Sequence, residues 1–185
     1  MSELLNTLFQ IDLNTVIWVQ ENLQSPLWNP FWIFLTTIGD AGIIWILTSL
    51  ILVAYPKTRT LGLTCSLALI FSVLITNLGL KNLVARPRPY THFDANLLIN
   101  EKWDFSFPSG HTSASFAVAY VLFKNKFKLK KTPFYLFALI LAVLMGFSRL
   151  YLSVHFPTDI IAGAGVGILC AYLAGIVIKK WKPGQ

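Results

Sequence analysis

The stretch Ser148-Arg149-Leu150-Tyr151-Leu152-Ser153-Val154-His155-Phe156-Pro157-Thr158-Asp159 sets an arginine, a histidine and an aspartate between two hydrophobic segments, Pro133 to Leu152 and Pro157 to Ile178. Each segment is long enough to cross a bilayer, which takes about 20 mostly apolar residues in a helix. An ionisable side chain at membrane depth costs roughly 2.5 to 3.5 kcal/mol on insertion scales, so charged groups there mark a functional site by default. Two further clusters repeat the pattern at helix ends. One runs from Lys81 through Pro89 and includes Arg86 and Arg88; the other is Pro108-Ser109-Gly110-His111.

The rest of the chain fits this membrane reading. Of 185 residues, 55% are hydrophobic and 12% charged, and the mean hydropathy is +0.63. Such a composition points to an integral membrane protein, all-α and polytopic, with residues 1–185 forming one domain. Working outward, Ile38 to Tyr55, Leu61 to Leu80 and Ser109 to Phe123 are further candidate spans. With the N-terminal segments, this predicts a bundle of about five to six membrane segments, its catalytic part covering residues 38–178. The stretch Leu4 to Leu23 carries Asn6, Gln10, Asp12, Asn14, Gln20, Glu21 and Asn22 among its apolar residues. It reads as an amphipathic helix lying in the interface, within an N-terminal segment of residues 1–30. Leu27 to Phe34, rich in tryptophan and interrupted by Pro30, reads as an aromatic-belt segment leading into the first span. No cleavable signal peptide is expected, because Glu3 stands where a basic region would be.

Net charge and cysteines exclude other classes. The formal charge is +7, but the cations fall in membrane-flanking loops and in the three clusters instead of on one solvated face, so no nucleic-acid partner is expected. Cys65 and Cys170 lie inside apolar stretches and are read as packing residues, without a disulfide framework or thiolate metal site.

Loop charges predict the orientation. Lys57 and Arg59 follow the first span; Lys124, Lys126, Lys128, Lys130 and Lys131 follow the third; Lys179, Lys180 and Lys182 follow the fifth. By the positive-inside rule these ends are cytoplasmic. Val84 to Pro108 and Arg149 to Phe156 then face the other side, so all three clusters converge on one extracytoplasmic site of a multi-pass cell-membrane protein.

Taken singly, each cluster has a plain structural explanation. Lys81 and Arg88 could be interfacial cations beside a proline-terminated helix. Ser109 and Gly110 could cap a helix, although the same free amides and helix dipole form a ready phosphate site. Arg149 could anchor a headgroup. His155 and Asp159 are harder to explain this way. Pro157 suits the first turn of a helix, which places Asp159 where a carboxylate reaches back toward the residues before it. A carboxylate so placed orients one imidazole nitrogen and leaves the other free to attack.

Jointly, Lys81-x6-Arg88-Pro89, Pro108-Ser109-Gly110-His111 and Ser148-Arg149-x5-His155-x3-Asp159 resemble the three-part signature of the type 2 phosphatidate phosphatase superfamily. These are membrane lipid phosphatases related to vanadium haloperoxidases and soluble acid phosphatases. The resemblance covers about Ile38 to Ile178, with every signature position present. The front of the chain departs from it, since bacterial members usually have six spans. The resemblance implies that His155 attacks phosphorus to form a phosphohistidine and that Asp159 holds its imidazole. His111 would protonate the leaving oxygen and then activate water. Lys81, Arg88, Ser109, Gly110 and Arg149 would bind the phosphate oxygens. No metal or other cofactor is expected, since cations take the role magnesium has elsewhere and no spare carboxylate cluster is evident.

The implied partner is a lipid phosphate in the bilayer. Undecaprenyl diphosphate is the leading substrate, with phosphatidylglycerol phosphate and phosphatidic acid as rivals. Arg86 and Lys102 are extra cations that could contact a second phosphate or be ordinary loop charges. Asp40, after Gly39, could pair with a site cation or cap a helix. Two alternatives are a non-catalytic protein that binds or translocates a lipid phosphate, and a haloperoxidase using vanadate. The first is expected to lack one of the histidines, and the second is expected to be soluble. Oligomeric state is not specified by the composition.

Overall fold

The computed structural model describes residues 2–181; Lys182, counted above among the cytoplasmic lysines, lies outside the described residues. Among these the chain is helical, its only β-type pairing being an isolated bridge between Leu129 and Thr132. In chain order come α1 (Ser2–Leu23), α2 (Asn29–Ile38), α3 (Ile43–Ala54), α4 (Arg59–Ser72), the short α5 (Lys81–Val84), α6 (Gly110–Lys124), α7 (Phe134–Tyr151) and α8 (Pro157–Trp181). A π-helical stretch, Val73–Leu80, joins α4 to α5 without a break. The segment 56–91, α7 and α8 are each long and apolar enough to cross a membrane. Helices α2 and α3, bent by 45° at the break between them, are together long and apolar enough for a broken span or a re-entrant loop.

Helix α6 is the axis of the bundle. At 15 residues it is shorter than a lipid-exposed span, and most of its side chains are buried, including Thr112, Ser113, Ser115, Ala117, Val118 and Leu122. Helices α4, α7 and α8 pack around it. Two glycines let α8 come close. A Cβ at Gly163 would sit 2.6 Å from the Ser109 carbonyl oxygen, and one at Gly167 would run into the Ser113 carbonyl. This is the small-x3-small device of membrane helices, where close backbone approach replaces a hydrophobic driving force that lipid cannot supply. Buried hydroxyls add interhelical hydrogen bonds. Trp45 Nε1 donates to Ser115 Oγ at 2.8 Å, and the Ser72 and Ser113 hydroxyls are 2.7 Å apart.

Two segments differ from the expectations above. The first span, placed at Ile38 to Tyr55, is interrupted at Gly39–Gly42, where Ala41 (φ 52°) and Gly42 (φ 70°) adopt the left-handed region; the regular helix resumes at Ile43. The tryptophan-rich segment does not merely lead into that span, for most of it lies in α2. Pro30 sits in the first turn of that helix, where its missing N–H has no intrahelical partner to lose. Helix α1 keeps Leu4, Leu5, Leu8 and Trp18 exposed, but it buries Asp12, Val16 and Val19 against the bundle.

Candidate functional site

Chain direction assembles the site. Helix α6 begins, α7 ends and α8 begins at the same end of the bundle, and α5 with the loop after it closes over that end. A cavity of about 390 Å³ opens there. Its wall includes Lys81, Arg88, Gly110, His111, Arg149 and His155 from the signature, together with Asn77, Lys102 and Asp104.

His155 lies in the loop between α7 and α8, two residues after Ser153, whose φ of 56° turns the chain sharply. It is 1% exposed. Its Nδ1 lies 3.5 Å from Asp159 Oδ2 and 3.4 Å from Ser106 Oγ, while Nε2 faces Arg88 Nη1 at 3.4 Å. Burial lowers its pKa well below the ordinary 6.5, and Arg88, Arg149 and Lys81 push it further down. The imidazole is therefore neutral at neutral pH, with one nitrogen on the carboxylate side and the other toward the cations.

Asp159 is fully buried and has its acceptors filled. Oδ2 accepts from Ser106 Oγ at 2.5 Å and from the Phe156 amide at 2.9 Å; Oδ1 accepts from Arg86 Nη1 at 2.7 Å. The reach of a first-turn carboxylate back toward the preceding residues is as the sequence predicts.

On the opposite wall, His111 Nε2 stands 3.1 Å from Asp40 Oδ1. The break between α2 and α3 presents that carboxylate, and Lys102 Nζ is 3.8 Å from the same oxygen. Of the two readings of Asp40, pairing within the site is the one the structure bears out.

The cations are held in different ways. Lys81 and Arg88 both pair with Asp104; the Arg88 Nη2 to Asp104 Oδ1 distance is 2.6 Å. Arg88 also donates from Nη1 to the Val154 carbonyl at 2.7 Å. Burial raises the pKa of Asp104, but Lys81 and Arg88 more than offset this and bring it down to about 2, so it is ionised. Arg149, 1% exposed, donates from Nη1 to Thr36 Oγ1, while its buried Nε has no hydrogen-bond partner among the described residues. An unpartnered buried guanidinium N–H on a cavity wall is the feature an incoming oxyanion satisfies.

One cation, Arg86, and one serine, Ser109, fall differently from expectation. Ser109 is buried beneath the cavity, where its hydroxyl accepts from Thr112 Oγ1 at 2.9 Å, and it is not among the lining residues. The close approach of Gly163 to its carbonyl accounts for the burial. Lys102 does line the cavity, but Arg86 is turned behind His155 toward carboxylates. Sequence reasoning missed Asp104, Ser106 and Asp12. Each is an ordinary polar residue in its local context; in the folded chain Asp104 and Ser106 stand out by their distance to signature residues, and Asp12 by its pairing with Arg86.

The chemistry available is that of a water-accessible anion cradle with a buried neutral histidine at its base, in a multi-pass helical membrane protein. A family profile described as the PAP2 superfamily matches residues 61–183, and the chain belongs to that superfamily of lipid phosphatases. It is 29% identical over 154 residues to the undecaprenyl-diphosphatase of Sulfolobus acidocaldarius, an alignment covering 82% of this chain and 71% of the relative. It is 38% identical over 107 residues to phosphatidylglycerophosphatase B of Bacillus subtilis, covering 54% of this chain and 49% of that one. Among solved structures, the transmembrane PAP2-type phosphatidylglycerolphosphate phosphatase from Bacillus subtilis superposes with a TM-score of 0.76 at 28% identity, over 97% of this chain and 90% of that chain. LpxE of Aquifex aeolicus superposes equally well, with a TM-score of 0.76 and 28% identity, over 90% of this chain and 95% of that one.

Proposed function

We propose that this lipid phosphatase works through a phosphohistidine on His155, with undecaprenyl diphosphate as its leading substrate and phosphatidylglycerol phosphate or phosphatidic acid as alternatives. In the first step the Nε2 lone pair of His155 bonds to the terminal phosphorus. The bond from phosphorus to the leaving oxygen breaks, and His111 gives that oxygen a proton. In the second, water attacks the phosphoryl group, His111 takes the water's proton, and the N–P bond breaks to release inorganic phosphate and neutral His155. Lys81, Arg88, the Gly110 amide and Arg149 hold the non-bridging oxygens, on which charge is concentrated throughout the transfer.

The observation that carries this reading is the orientation of His155. Its Nδ1 faces a buried carboxylate, and its Nε2 faces a cavity walled by Lys81, Arg88 and Arg149. That the substrate is a lipid is supported by what adjoins the cavity. An apolar groove of about 220 Å³ between α3 and α4 shares Ile46 and Leu69 with it. A further groove of about 330 Å³ shares Ser66 and Ile70 with the first and continues to Val177. These apolar grooves flank α4 beside the cavity, which suits a substrate with a hydrocarbon chain. Lys102 at the rim favours a second phosphate. The lysine-rich ends of α6 and α8 lie opposite the cavity, which supports an extracytoplasmic site.

The test is phosphate release by the purified protein in detergent with chelator present, from each of the three lipids, with His155→Ala alongside. Release that survives chelation and is lost in the variant is the expected result, and the rates rank the substrates. Release that stops on chelation, or a His155→Ala protein with near wild-type turnover, would overturn the mechanism.

A further inference from the structure

Behind His155, on the side away from the cavity, lies a second buried charge cluster. Arg86 bridges two carboxylates. Its Nη1 donates to Asp159 Oδ1 at 2.7 Å and its Nη2 to Asp12 Oδ2 at 2.8 Å. Asp12 comes from the middle of α1 and is 3% exposed. It also accepts from the Thr158 amide at 3.1 Å and from the Thr158 hydroxyl. That hydroxyl in turn accepts from Arg86 Nη1 at 2.7 Å. The guanidinium carbon lies 3.9 Å over the ring of Phe156, the residue that follows His155. Asp12 and Asp159 are buried and Arg86 is largely so, and such charges must match each other, because an uncompensated buried charge is strongly destabilising.

The charges also have a consequence for the reaction. Attack by Nε2 turns the His155 imidazole into a cation, which a negative charge behind it stabilises. Arg86 alone would cancel the charge of Asp159. Asp12 supplies a second carboxylate against the single guanidinium, so the cluster as a whole keeps one negative charge facing the imidazole. The planar fork of Arg86 is what lets one cation reach both carboxylates, a geometry a lysine does not reproduce.

We infer that Asp12 and Arg86 are positioning residues for the phosphoryl transfer: together they fix Asp159 against His155 and leave the trio with the net negative charge that a phosphohistidine requires. The N-terminal helix α1 is thereby part of the catalytic unit. The inference rests on the phosphohistidine reading above. Neither residue lines the cavity, so both act on turnover and not on binding.

The experiment is steady-state phosphate release by the full chain in detergent, from the fastest of the three lipids, with elution from a sizing column as the check of folding. Asp12→Asn keeps the shape and removes the charge. Its kcat is expected to fall about tenfold to a hundredfold, the usual scale for partners that orient a working histidine, with KM within about twofold of wild type. Adding Arg86→Gln to it restores the single negative charge, and kcat is expected to recover at least about fivefold over Asp12→Asn. A merely structural pair would behave in the opposite way, the double variant being as slow as the single one or slower. That result, or a KM that rises in step with the loss of kcat, overturns the inference. Should Asp12→Asn not elute as folded protein, Arg86→Lys decides: a fall in kcat at constant KM is expected, and an unchanged kcat overturns. An inactive wild type or an active His155→Ala protein would instead indict the phosphohistidine reading. Normal behaviour of both, with Asp12→Asn as fast as wild type, indicts this inference alone.

Discussion

At the scale of single residues, burial and neighbouring cations hold His155 neutral, the form that the proposed attack requires. Because its pKa lies below 6.5, the proposed nucleophile stays unprotonated as the medium is acidified through that value. The acid limb of kcat/KM is therefore expected well below pH 6.5, and a limb at or above 6.5 in a pH-rate profile would contradict the assignment. Asp104 is the other residue with a clear consequence. It already pairs with Lys81 and Arg88, the cations assigned to the substrate phosphate. An incoming phosphate must compete with it or share them. Asp104→Asn is expected to lower KM severalfold and to tighten inhibition by inorganic phosphate, which a product-inhibition assay reads directly. An unchanged inhibition constant would show that the carboxylate does not compete. The signature cations and histidines were legible because each sits where an apolar span must end. Asp104 and Ser106 were not, since nothing in a polar loop indicates which of its residues will face a buried histidine.

At the scale of elements, the hydropathy pattern located α4, α6, α7 and α8 well, because residues buried among helices and residues facing lipid are both apolar. The break between α2 and α3 was less legible. A left-handed alanine beside a left-handed glycine, at Ala41 and Gly42, leaves the hydropathy of the segment unchanged while bending its path. The amphipathic character of α1 was visible, but not its partner. Its polar residues indicated a surface helix, whereas Asp12 is buried against Arg86 and Thr158. The tightest joint between elements is that of α6 with α8. A side chain at Gly167 would meet the Ser113 carbonyl and the Ala117 amide nitrogen. Gly167→Val is therefore expected to destabilise the bundle by roughly 1 to 3 kcal/mol, the range for overpacking, and to lower the thermal midpoint in detergent. Gly175→Val, at a helical site with open space around it, is the control and should leave the midpoint close to wild type. Equal midpoints for the two variants would contradict the close-approach account.

At the scale of the whole molecule, the polar cavity and two apolar grooves lie along α4 and share lining residues. From Val73 at the cavity to Leu63 at the far groove is ten residues, about 15 Å at 1.5 Å per residue, roughly half the hydrocarbon thickness of a bilayer. A phosphate seated in the cavity would thus leave its lipid chain lying against the protein before entering the bilayer. Ser66, shared by both grooves, is the point at which to obstruct it. Ser66→Phe is expected to raise KM for the long-chain lipid several times while leaving a short-chain phosphate ester unaffected. Equal effects on both substrates would mean that the groove does not hold the chain. Loop lysines need no fold to be counted, and Lys124, Lys179 and Lys180 close α6 and α8 at their ends away from the cavity.

The central claim is that His155 carries the phosphoryl group between the two steps. Rapid mixing of protein and lipid substrate, quenched in base to preserve a phosphoramidate and followed by peptide mass spectrometry, tests it directly. A base-stable, acid-labile phosphoryl group on the peptide containing His155, formed and consumed within one turnover, is the predicted result. Turnover with no such adduct in the wild type, and with His155→Ala still active, would contradict the account.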